Sequence, residues 1–274
     1  MKFIKRIPEY KGTPLIDCTD INSESAAHDL LCVVIAKARE VIGVVSDAYR
    51  EEWTNKPSTG VRAVFGHWLV KAVRHFAAIT ILCEERDLSV LANVHHRQIF
   101  ELFLQARYYA SVDQEEKEKY TEKISASGCM EYLEKLDILK DHDYIKGAYE
   151  EISEKLALYD ENLVDEIKRE RKKRINYWFG RSFSQLAKDV SREGEDLRSV
   201  YQIISADIHG AWDLTLDVDN PEPGVLNFRG YPDKTTMYIR AAEMLDQVTT
   251  LYMNLWNEIA ESVGAQGVYY LVET

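Results

Sequence analysis

Ala26 to Trp53 reads AAHDLLCVVIAKAREVIGVVSDAYREEW, with apolar residues at 30, 31, 34, 35, 38, 41, 42, 45, 48 and 49. Steps of three and four mark one face of a 3.6-residue helix, so the stretch predicts a long amphipathic helix with Ser23 or Ser25 as its N-cap. Pro57 ends it, Ser58 or Thr59 caps the next, and Val61 to Glu85 repeats the stripe through Val64, Phe65, Trp68, Leu69, Ala72, Val73 and Phe76. A third helix, Ser89 to Ser111, contains HHRQIFELFLQARYY. Short links leave successive long helices side by side, so the expected fold is all-α, an antiparallel helical bundle.

Outward from these helices the pattern changes twice. Residues 1–21 carry Pro8, Gly12 and Pro14 among scattered charges and read as an extended N-terminal arm. Beyond the third helix, 31 of the 65 residues from Ser111 to Ile175 are charged, against 29% for the chain. A stretch so polar packs one face only, so 111–175 is expected to be a charged helical insertion, ending in KRERKKR from Lys168 to Arg174. Ser182 with Gln185 three residues on is a capping box for a short helix from Phe183 to Arg192. After a helix from Asp196 to His209 comes a long loop, 211–233, rich in Pro, Gly and Asp. Loops of that length in compact domains usually serve a function. Asp233 or Thr235 caps a last helix to about Val263, and the tail 264–274 is read as a short strand or coil. The expected organisation is one helical domain, 22–263, between the arm and the tail.

Composition narrows the function classes. The chain has 274 residues, 46% apolar, and a net charge of −12. Such a charge repels nucleic acid at long range, so RNA binding would rest on a local basic patch. Cys18, Cys32, Cys83 and Cys129 form no CxxC pair, which indicates neither a zinc site nor a disulfide framework and suggests the reducing cytoplasm. No apolar segment approaches the length of a membrane span or a signal core, so no membrane association is expected. Walker, GxGxxG, HExxH and paired ExxH patterns are absent from the sequence, and no metal or cofactor is expected.

The chemistry-bearing residues concentrate late in the chain. On the 196–209 helix, Tyr201, Ser205 and His209 repeat every four residues, a polar column where a core helix should be apolar. Gly210 stands where a left-handed C-terminal cap belongs, which places His209 among the exposed carbonyls of a last turn. Arg97 and Glu101 lie one turn apart on the third helix, read either as an intrahelical ion pair or as a partly buried pair that orients His209. The basic run Lys168, Arg169, Arg171, Lys172, Lys173 and Arg174 follows an acidic helix start, so the helix dipole accounts for it; with Trp178 nearby it is also a candidate phosphate-contacting patch. Arg62 and His67 match an Rx4H spacing, but about one accidental match of this kind is expected in a chain of this composition.

Arg97-x3-Glu101, Trp178-x-Gly180-x-Ser182 and Tyr201-x3-Ser205-x3-His209, taken in order, resemble an uncharacterised bacterial all-helical family, a domain of unknown function, over residues 25–260. That family in turn resembles HEPN-like bundles, which implies an RNA-directed effector of toxin–antitoxin or antiphage type, a metal-independent endoribonuclease. His209 would act as general acid or base, Arg97 would stabilise phosphate charge, Glu101 would orient, and Tyr201 and Ser205 would position the substrate. In HEPN proteins the arginine stands five to seven residues before the histidine, whereas here Arg198 is eleven before His209. The competing reading is a non-catalytic interaction module, with the same residues as a structural network and a protein partner or second copy as ligand.

Overall fold

The computed structural model describes residues 9–54, 56, 60–85, 91–138, 142–172, 179–208, 218–219, 227–228 and 233–265. Helices run over α1 Glu24–Thr54, α2 Gly60–Glu84, α3 Ala92–Ser111, α4 Gln114–Asp137, α5 Asp143–Leu156, α6 Glu161–Lys172, α7 Phe183–Val190, α8 Leu197–Ile208 and α9 Lys234–Val263. The architecture is an all-α bundle, as the periodicity predicts. One departure falls inside the stretch expected as a single loop, 211–233. There β1, Val218–Asp219, pairs antiparallel with β2, Asn227–Phe228, in the register Val218 to Phe228. Backbone ladders satisfy polar groups that a polar loop sequence does not advertise.

At the centre lies α3, which packs against α2, α7, α8 and α9. Every residue from Ile99 to Tyr109 is buried, including Glu101, Gln105 and Arg107. Enclosed over this stretch, α3 carries its charges into the core, where each needs a partner. Along the other side α1 and α9 pack over most of their length. Trp68, Phe65 and Tyr109 meet edge to face at centroid distances of 5.3 to 5.9 Å, the quadrupole-favoured geometry.

Helix ends follow the cap chemistry. Asp113, Ser182 and Asp233 accept from the backbone N–H three residues on, at 2.9, 3.1 and 3.1 Å. Gly264 closes α9 at φ 68°. The N-terminal arm has no helix among its described residues, yet it is docked. Tyr10 is buried, and the backbone N–H groups of Leu15 and Ile16 donate to Asp246 Oδ2 of α9 at 2.6 and 3.3 Å.

Helices α4 to α6 hold a small core of their own, Ala126, Met130 and Ile167, edged by Leu156, Tyr159, Leu163 and Val164. The buried ammonium of Lys123 joins α4 to Glu166 and Glu170 of α6 at 2.7 and 2.6 Å. Packing α4 against α2 ties this group to the bundle.

Candidate functional site

The seam between α3 and α8 brings together three of the residues that the spacing picks out. Arg97 Nε donates to Glu101 Oε1 at 2.8 Å, and its Nη2 donates to the Tyr201 hydroxyl at 3.2 Å. That hydroxyl in turn donates to Glu101 Oε1 at 3.3 Å, closing a triangle. Gln98 Nε2 donates to the other carboxylate oxygen at 3.3 Å. The guanidinium also sits 5.6 Å from the Tyr201 ring centre, and that ring lies between Phe100 at 6.3 Å and Phe183 at 6.0 Å. Arg97 and Glu101 share a helix face because they are one turn apart; Tyr201 reaches them because α8 crosses that turn.

The triangle stands at the rim of the core, with 22% of the Arg97 side chain exposed and 10% of Glu101. Burial pushes the Glu101 carboxyl above its ordinary value, and the hydrogen bonds from Arg97, Tyr201 and Gln98 only partly offset it. For Arg97, burial works against the charge, but the Glu101 carboxylate outweighs it and the guanidinium is held more firmly charged than usual. Burial, then the Glu101 charge, pushes the Tyr201 phenol up.

Ser205, one turn beyond Tyr201, departs from the expected polar column. Its Oγ is buried and makes no hydrogen bond to any described residue. The neighbouring Ser205 hydroxyl is nonetheless the foremost of the groups that pull the Tyr201 phenol back down. His209, the proposed acid or base, lies outside the described residues, as do Lys173, Arg174 and Trp178.

Three of the four described residues of the basic run meet carboxylates or a carbonyl. Arg171 forms a two-pronged pair with Glu134 of α4, both bonds 2.7 Å, and Lys168 meets Asp165 at 3.2 Å. Arg169 Nε donates to the Asp165 carbonyl at 3.3 Å, while Lys172 is exposed. Arg62 of the Rx4H match donates to the Glu52 carboxylate and carbonyl at 2.9 and 2.7 Å, and His67 is exposed. Gly180 turns the chain at φ 66° ahead of the Ser182 cap.

Three polar centres escaped the reading of the sequence. Arg107 donates to both oxygens of Glu195, at 2.7 and 3.2 Å, and to Glu258 of α9 at 2.9 Å, while Arg192 adds a second bond to Glu258 at 2.8 Å. The Tyr10 hydroxyl and His96 Nε2 share a buried hydrogen bond of 2.8 Å. His75 and His95 meet through their Nδ1 atoms at 2.9 Å. Only the first had a signal: one arginine in the apolar run FELFLQARYYA. Among the described residues no group of three or more His, Cys, Asp and Glu is arranged to hold a metal ion, and no helix is long and apolar enough to cross a membrane.

Fold and site together define a class: an all-helical bundle with an Arg–Glu–Tyr triangle at the crossing of its central and late helices. A family model described as "Family of unknown function (DUF5677)" matches residues 62–224, and the chain belongs to that family. The match takes in α2 to α8 and every motif of the candidate site, a narrower span than the 25–260 expected. Neither the curated proteins nor the solved structures include a match to the chain.

Proposed function

We propose that this chain is a non-catalytic helical interaction module in which Arg97, Glu101 and Tyr201 fix the seam between α3 and α8. The closed triangle carries this reading. Arg97, Glu101 and Tyr201 satisfy one another, whereas a catalytic arginine awaiting phosphate would need donors aimed at an open site. Pairing of Lys168 with Asp165 and of Arg171 with Glu134 supports the same view, since it lowers the attraction of these two cations for a polyanion. With a net charge of −12, the surface suits a basic protein partner.

A second reading, the HEPN-like RNA-directed effector, keeps support from two observations. Ser205 Oγ, four residues before His209 in sequence, has no partner among the described residues, and the Arg97 side chain retains partial exposure. Incubation of wild type and His209→Ala with total RNA, without divalent metal and at two salt concentrations, separates the two. The module reading expects intact RNA and no gel shift even at low salt. Cleavage by wild type that disappears in His209→Ala would replace it with the nuclease.

A further inference from the structure

Among residues 9–21 of the N-terminal arm, only Tyr10 is buried; the others are half-buried or exposed. Its ring packs on Phe100 of α3 at 5.7 Å, and its hydroxyl shares the 2.8 Å hydrogen bond with His96 Nε2. Further on, Gly12 runs against Val200 of α8, and the amides of Leu15 and Ile16 reach the Asp246 carboxylate of α9. Among the described residues the arm's backbone bonds another backbone only locally, from Ile21 N–H to the Cys18 carbonyl. The arm thus crosses three helices on one deep anchor and one shallow clamp. Such a segment can lift without unfolding the helices beneath it, because local opening costs least where few contacts are buried.

We propose that the arm is a proton-released strap, latched by neutral His96 and freed when that imidazole takes up a proton. His96 lies 3% exposed on α3, beneath Tyr10. Burial lowers its pKa from 6.5 to about 4, and among the described residues no charged group of the arm, or of α2, α7, α8 or α9 packed on α3, offsets that burial. The charged groups along the strap's path are committed elsewhere: Arg97 to Glu101 and Tyr201, and Asp246 to two arm amides, with Lys37 of α1 3.9 Å away. Tyr10 supplies no counter-charge, since burial holds its phenol neutral. An imidazolium there lacks both water and a partner, and lifting Tyr10 readmits water at the smallest loss of packing. A histidine depressed when latched and ordinary when lifted favours the latch above pH 6.5 and lifting as pH falls toward 4. Lifting uncovers Phe100, which Tyr201 also contacts at 6.3 Å, so the strap bears on the α3 and α8 seam whichever role that seam has.

Hydrogen exchange of the full chain, corrected for the pH dependence of the intrinsic chemistry, reads the lifted population through the Leu15 and Ile16 amides. Their protection is expected to fall about twentyfold from pH 7 to pH 5, while Leu251 and Tyr252 of α9 keep theirs. His96→Gln, which can still accept from the Tyr10 hydroxyl, should flatten that fall to within about twofold. Tyr10→Phe keeps the ring over His96 and should show the same fall from a lower start; it decides the matter should His96→Gln not fold. Equal protection at both pH values in wild type overturns the proposal, and so does a loss shared with the α9 amides, which is global unfolding. A fall that persists in His96→Gln overturns it by assigning the pH dependence to another group, such as the Asp246 carboxylate, and a fall absent from Tyr10→Phe does so by removing His96 as its source.

Discussion

Tyr201 and Ser205 sit one turn apart on α8, and their hydroxyls meet opposite fates. Tyr201 bonds Arg97 and Glu101, so Tyr201→Phe should lower stability by about 1 to 3 kcal/mol by leaving Glu101 short of a donor in a desolvated place. Ser205→Ala removes a buried hydroxyl with no described partner and should change the unfolding free energy by about 0.5 kcal/mol or less, in either direction. A large loss in Ser205→Ala would mean that the column is knitted together as its spacing suggests. His96 gives a second prediction. Complete burial beside Tyr10 lowers its pKa from 6.5 to about 4. A depressed histidine takes up its proton more readily when unfolded, so its contribution is full above pH 6.5 and is lost as pH falls toward 4, by about 3 kcal/mol in all. Urea titrations between pH 7 and 4 should show this slope in wild type and a shallower one in His96→Gln.

The N-terminal arm shows how an element without regular structure becomes part of the core. Asp246 accepts from two of its backbone N–H groups, with Lys37 3.9 Å away, and Tyr10 fills the interior beside Phe100. Between these anchors Gly12 adopts φ 74°, and a Cβ there would stand 2.8 Å from both Val200 methyls. Gly12→Ala should therefore cost about 1 to 2 kcal/mol from backbone strain and contact combined. The cost is local, so limited proteolysis should cut the variant within the first twenty or so residues well before wild type. Equal cleavage rates would show that the arm tolerates a side chain at this turn.

For the molecule as a whole, the Arg107 centre joins α3, the Glu195 turn ahead of α8, and α9. Only 6% of its side chain is exposed, against 3% for Glu195 and 11% for Glu258. Arg107→Ala strands the enclosed Glu195 carboxylate and leaves Glu258 with Arg192 as its guanidinium partner, a change of about 3 to 5 kcal/mol, comparable to much of a domain's total stability. Adding Glu195→Gln should recover part of that loss, since it removes the stranded charge. Denaturant unfolding of the single and double variants measures both effects, and a single variant within about 1 kcal/mol of wild type would show that water reaches this centre.

The sequence by itself determined the helices. Their apolar period, their Ser and Asp caps and the glycine that ends α9 are local properties, carried by residues three or four apart, so α1, α2, α7 and α9 fall within a few residues of their expected spans. It also put Arg97, Glu101 and Tyr201 in one short set, because charged and hydroxyl side chains on otherwise apolar helix faces need partners. What the tertiary structure decided is who those partners are. That Tyr201 reaches Glu101, that Arg107 meets Glu195 and Glu258, and that Tyr10 reaches His96 across 86 residues all depend on which helices cross and at which turn. Crossing is a property of packed surfaces summed over the whole chain, and no local spacing encodes it.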